Sequence, residues 1–139
     1  MTKEFISKSA QETSAIAKEF AGDLSAGDIV LLKGDLGAGK TVFVKAVAEK
    51  FSNGKSIAVS PTFTIVNVYD TVPEIYHFDL YRINDASELD AIGAEEYFYG
   101  NGICFVEWPE RAEGYFSSSV IKIEILKLNE NERLIRIEN

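Results

Sequence analysis

Gly34-Asp35-Leu36-Gly37-Ala38-Gly39-Lys40-Thr41 carries the strongest chemical signal in the chain, a complete G-x-x-x-x-G-K-[ST] pattern. Each residue type has a physical reason. Glycines let the main chain wrap closely around a polyphosphate in conformations that other residues resist. Successive N–H groups then form an anion nest, and a helix beginning near Lys40 adds its positive end. Asp35, Leu36, Gly37, Ala38 and Gly39 are therefore the expected cradle. Lys40 supplies a full charge for the β- and γ-phosphates of a nucleoside triphosphate, and the Thr41 hydroxyl is placed to ligate Mg²⁺. A dinucleotide-binding loop is the nearest rival. It needs no Lys-Thr pair, and the glycines at 37 and 39 lack a third at the required offset. No N-K-x-D tetrapeptide for reading guanine is present, which favours ATP.

Hydrolysis needs a carboxylate near the metal or the attacking water. Asp79 follows Ile75-Tyr76-His77-Phe78, and Glu107 follows Ile103-Cys104-Phe105-Val106. An acid after an apolar run is an acid at a strand end, where sheet residues face a bound nucleotide. With Thr41, the two would hold Mg²⁺ directly or through water; each also reads as an acid that ends a strand in solvent. Trp108, the only tryptophan, either caps the core or covers the nucleotide or meets a partner. Thr62, within Ser60-Pro61-Thr62-Phe63, lies where a γ-phosphate-sensing segment would sit, and equally where an ordinary loop turn would. His77, inside an apolar run, reads as a satisfied core histidine rather than a base. Arg82 and Arg111 are candidates to stabilise charge or to make surface ion pairs, the second preferred for Arg111.

The elements that would position these residues are legible from patterning. Ser9-Ala10-Gln11-Glu12 is a capping box ahead of a helix carrying Ile16, Ala17, Phe20, Ala21 and Leu24 at helical spacing. Ile29-Val30-Leu31-Leu32 reads as a strand covered on both faces. Lys40–Phe51 reads as a helix, with Val44, Val47, Ala48 and Phe51 on one side. Residues 63–69 and 75–81 are β-rich runs joined at Thr71-Val72-Pro73-Glu74, which predicts a hairpin. Ala86–Ile92 and Glu95–Tyr99 read as short helices, Ile103–Val106 as a buried strand, and Val120–Leu128 with Arg133–Ile137 as two further strands. Together they predict an α/β, three-layer domain of the P-loop NTPase-like kind, its central sheet mainly parallel with antiparallel edge strands.

Composition bounds the rest. A length of 139 residues with 46 % hydrophobic and 26 % charged content suits one domain over residues 1–139. One cysteine and one histidine leave no internal disulfide and no zinc site of the Cys/His kind. No apolar run approaches the roughly 20 residues of a membrane span, and Met1–Ala10 has no signal-peptide core. The expectation is a cytoplasmic protein with no membrane partner. A net charge of −8 counts against unaided binding of nucleic acid, which needs clustered Lys and Arg.

Gly-Asp-Leu-Gly-Ala-Gly-Lys-Thr at 34–41, Ser-Pro-Thr-Phe at 60–63, Tyr-His-Phe-Asp-Leu-Tyr-Arg at 76–82 and Val-Glu-Trp-Pro-Glu at 106–110 occur in that order. In these motifs the chain closely resembles the bacterial TsaE (YjeE) family, from about Ser9 to the C-terminal strands. The resemblance implies an ATPase of tRNA threonylcarbamoyladenosine biosynthesis that binds the TsaB–TsaD heterodimer, meets tRNA only through that complex, and does not perform the carbamoyl transfer. It implies Thr41 and Glu107 as metal-side residues and Asp79 as the carboxylate that positions water or supports the metal. It further implies Ser60–Phe63 as a switch-like segment, Trp108 and Glu110 as the rest of the strand-end motif, and Ala10–Thr13 near the adenine. A small-molecule P-loop kinase is the alternative. The few scattered arginines and the little length left for a lid count against it.

Overall fold

The computed structural model describes residues 2–63, 65–116 and 119–139, and of residues 60–63 the main chain alone. In chain order the elements are β1 (Thr2–Ser7), α1 (Ala10–Ala21), β2 (Ile29–Lys33), α2 (Lys40–Phe51), β3 (Val59–Phe63), β4 (Val66–Tyr69), β5 (Ile75–Asp79), α3 (Ser87–Ala91), α4 (Ala94–Phe98), β6 (Ile103–Glu107), a 3₁₀ turn (Pro109–Ala112), β7 (Ile121–Lys127) and β8 (Arg133–Glu138). The expected cap forms with one shift: Ser9 accepts from the Glu12 N–H at 3.0 Å, and Glu12 Oε1 accepts from the N–H of Lys8, one residue before the N-cap, at 3.0 Å.

All eight strands share one sheet in the order β1-β8-β7-β2-β6-β5-β4-β3. The predicted parallel centre is present as β7-β2-β6-β5. Its predicted dominance is not. The β1/β8, β7/β8, β3/β4 and β4/β5 pairs are antiparallel, so antiparallel pairings outnumber parallel ones among the described residues. The physical reason is connection length: β7–β8 and β4–β5 are joined by short turns, which only antiparallel neighbours allow. β1 and most of β3 lie where no strand was predicted. β1 lies on one outer edge, and β3, with its Pro61, on the other, where a missing N–H costs no ladder bond.

Alternation along the central strands sends side chains into two cores. Val30, Leu32, Ile103 and Phe105 pack with Ala17, Phe20, Phe43, Val44 and Val47 of α1 and α2. Ile29, Cys104, Val106 and Phe78 pack with Leu89, Ala94 and Phe98 of α3 and α4. The sheet is thus covered on both faces at its parallel centre, which is why those strands read as unbroken apolar runs. Among the described residues no helix is long and apolar enough to cross a membrane.

Candidate phosphate-binding site

The end of β2 leads straight into the glycine loop, and the loop into α2. Gly34 leaves the sheet so close to β7 that a Cβ there would lie 2.6 Å from the Ile125 carbonyl oxygen. Only glycine permits that approach. Gly39 caps α2 at φ 108°, a left-handed conformation that favours glycine. The Phe43 N–H is the first to bond back into the helix, to the Gly39 carbonyl at 3.0 Å. The amides of residues 40–42 therefore have no intrahelical acceptor and stand at the loop. Leu36 is exposed at the tip, and Ala38 is buried beneath it.

Lys40 is only 5 % exposed. Its ammonium donates to the Gly34 carbonyl at 2.6 Å, lies 3.8 Å from Glu107 Oε1, and sits 4.0 Å from the centroid of the Trp108 ring. Burial pulls its pKa below the ordinary 10.5, against the opposing pull of Glu107, Asp79, Glu110 and Asp35, in that order of strength. Desolvation thus outweighs four acids acting on one cation. The same fact locates the acids: the fold gathers around one lysine carboxylates scattered over 76 residues of chain, from Asp35 to Glu110.

Asp79 and Glu107 are the last residues of β5 and β6 and face each other in the parallel register. They differ in environment. Glu107 is buried, with Oε2 bonded to His77 Nε2. Asp79 is exposed, and its Oδ1 accepts from the Tyr81 N–H at 3.0 Å. Thr41 is exposed in the first turn of α2. Trp108 caps the core, as one of its readings had it. It is half-buried against the α3/α4 core and Tyr81, and its ring covers the lysine. It leaves β6 at φ 58°, which turns the chain sharply toward Glu110, an exposed residue of the 3₁₀ turn.

Other expected residues fall outside this cluster. Ala10 is exposed at the start of α1, and among the described residues no hydrogen bond or ion pair ties it to the loop. The Thr62 side chain lies outside the described residues. Arg82 is exposed, and Arg111 lies over the Tyr81 ring at 5.7 Å. His77, by contrast, joins the cluster: it is a satisfied core histidine bonded at both ring nitrogens, one of them to Glu107.

Arg133 is the residue that the sequence did not reveal. From the start of β8 its Nε donates to the Ala38 carbonyl at 3.0 Å, and Nη2 to the Gly37 carbonyl at 3.3 Å. Nη1 donates to the Asn129 carbonyl at 2.8 Å, bracing the hairpin turn against the loop. No local pattern marks it, because its acceptors are main-chain atoms 95 and 96 residues away.

Among the described residues no group of three or more His, Cys, Asp or Glu is arranged to hold a metal by itself. The oxygen donors at hand are the Thr41 hydroxyl and the Glu107 and Asp79 carboxylates. A set this sparse and hard suits Mg²⁺, which binds through one or two carboxylates, substrate phosphates and retained waters.

The family model described as "Threonylcarbamoyl adenosine biosynthesis protein TsaE" matches residues 7–135. The chain is 44 % identical over 126 residues to the tRNA threonylcarbamoyladenosine biosynthesis protein TsaE of Bacillus subtilis, covering 90 % of this chain and 78 % of that one. It is 41 % identical to the protein of that name from Aquifex aeolicus, over 99 % of this chain and 96 % of that one. The crystal structure of Bacillus subtilis YdiB superposes with a TM-score of 0.81 at 36 % identity, over 99 % of this chain and 84 % of that one. Fold, motif order and sequence agree, and the chain belongs to the TsaE family of tRNA threonylcarbamoyladenosine biosynthesis proteins.

Proposed function

We propose that the chain is a Mg²⁺-dependent ATPase on a P-loop NTPase-like domain, working in the cytoplasm with TsaB–TsaD and reaching tRNA only through that complex. The observation that carries this reading is the meeting of loop and strand end: Lys40, closing the glycine loop, lies 3.8 Å from Glu107, which closes β6. Open α/β sheets bind ligands at the carboxyl ends of their parallel strands, where both residues lie.

In this reading the loop amides and the first turn of α2 receive the phosphates, and Lys40 brings a full charge to the β- and γ-groups. Thr41 and Glu107 would hold Mg²⁺, which when bound neutralises charge on the transferred phosphoryl oxygens. Asp79, exposed beside Glu107, is free to orient the attacking water or to support the metal. Trp108 shields the lysine from solvent and strengthens its electrostatic reach. ATP is preferred to GTP because no guanine-reading tetrapeptide is present.

Incubation with ATP, GTP and a panel of small-molecule acceptors tests the reaction class. Phosphate release from ATP without a phosphorylated acceptor is expected. Lys40→Ala should abolish it in a folded chain, and Glu107→Ala should remove the Mg²⁺-dependent part. A phosphorylated metabolite would indicate a kinase instead, and undiminished turnover in Lys40→Ala would refute the assignment of the loop. Mixing with TsaB and TsaD tests the partner: failure to associate in every nucleotide state would remove that part of the reading.

A further inference from the structure

His77 and Tyr69 have no part in the scheme above, yet they are wired into it. Tyr69, His77 and Glu107 stand on adjacent strands β4, β5 and β6. The register partners of His77 are Asn67 and Phe105, and Tyr69 and Glu107 each lie two residues beyond those partners. The three side chains therefore run diagonally across the sheet face that α2 covers. All three are buried. The Tyr69 hydroxyl is 3.3 Å from His77 Nδ1, His77 Nε2 bonds Glu107 Oε2, and Glu107 Oε1 faces the Lys40 ammonium at 3.8 Å.

Chemistry fixes the direction of the bond to the acid. Burial, and then the charge of Glu107, push the Tyr69 phenol above its usual 10.0, so it stays protonated and can donate. A carboxylate only accepts, so Nε2–H donates to Glu107, while the Tyr69 hydroxyl pairs with Nδ1. One oxygen of Glu107 is thereby committed. The other faces the lysine and the loop. An apolar trio would fill this space without the cost of burying polar groups, so the chain of bonds has a use beyond packing.

We infer that Tyr69 and His77 are positioning residues that hold Glu107 by Oε2, so that Oε1 alone is presented to the metal-bearing phosphates. The inference rests on the nucleotide reading above. It adds that the acid's aim is set from two strands away, as outer ligands orient a metal's inner ones.

Calorimetry with ATP, in Mg²⁺ and in chelator, separates this role from simple packing. His77→Phe should raise the Mg²⁺ concentration needed for half-maximal hydrolysis by about 10–100-fold. It should weaken Mg²⁺-ATP binding and leave Mg²⁺-free ATP binding unchanged, because the loop is intact. His77→Gln, whose amide can donate in place of Nε2–H, should restore most of the loss. Tyr69→Phe should shift the Mg²⁺ requirement in the same direction by less. A wild-type Mg²⁺ requirement in folded His77→Phe would overturn the inference, as would parallel loss of Mg²⁺-free ATP binding. Should His77→Phe fail to fold, Tyr69→Phe decides: a raised requirement supports the inference and an unchanged one overturns it. A wild-type chain that binds no ATP in either condition would overturn both this inference and the nucleotide reading, a result distinct from all the others.

Discussion

At the scale of single residues, the loop was legible because its chemistry is local. Spacing alone identifies Gly34 through Thr41, and the structure supplies the separate reason for each glycine. Gly34 is required twice over, by its contact with the Ile125 carbonyl and by its positive φ of 158°. Gly34→Ala should therefore destabilise the fold by about 1–3 kcal/mol, as forced overpacking does, on top of any effect on nucleotide. Urea unfolding checks this, and an unchanged midpoint would show that β7 yields without cost. The acids were legible as strand ends. What was not legible is that Glu107 is buried and held while its neighbour Asp79 is exposed. That difference comes from His77, 30 residues away in sequence, and from Trp108 turning back over Lys40.

At the scale of elements, helices and central strands followed from periodicity, and the misses were at the edges. β1, Thr2–Ser7, is mostly exposed and polar, with only Ser7 fully buried, so it carries no run of apolar residues to betray it. β3 contains a proline that argues against a strand unless the strand is an edge, and an edge is where it lies. The β7–β8 hairpin was expected, but its task was not. It delivers Arg133 to the carbonyls of Gly37 and Ala38, so the last strand helps hold the first loop. Arg133→Ala should speed hydrogen exchange at the loop amides and weaken ATP binding about ten-fold, in keeping with the 1.5–3 kcal/mol of a charged hydrogen bond. Unchanged exchange and affinity would reduce Arg133 to a brace for its own turn.

At the scale of the whole molecule, one sheet divides two cores, and the site sits where the loop, α2 and two strand ends converge at the carboxyl ends of the central parallel strands. Cys104 reports on the integrity of the second core. Burial pushes its thiol from 9.0 up to about 12. Between those values the unfolded chain has lost the thiol proton while the folded one keeps it, so this group makes stability fall as pH rises from 9.0 to about 12. A Cys104→Ala control should lack that component. In the native chain near neutral pH, alkylation of Cys104 should proceed only through unfolding; fast labelling under native conditions would mean that the α3/α4 layer opens readily. The sheet's proportions escaped the sequence because a strand's partners are non-local. Alternation shows that a strand has two covered faces, and turn length shows which neighbours run antiparallel, but the pairing of β1 with β8 spans nearly the whole chain.

In the proposed function a ring of main-chain amides, closed by Lys40 and faced by Glu107, grips a nucleoside triphosphate. Isothermal titration calorimetry of Mg²⁺-ATP into the wild-type chain and into Lys40→Ala tests it most directly. Saturable one-to-one binding to the wild type and none to the variant is expected, with both chains folded by circular dichroism. No heat from the folded wild type, or equal affinity in the two chains, would contradict it.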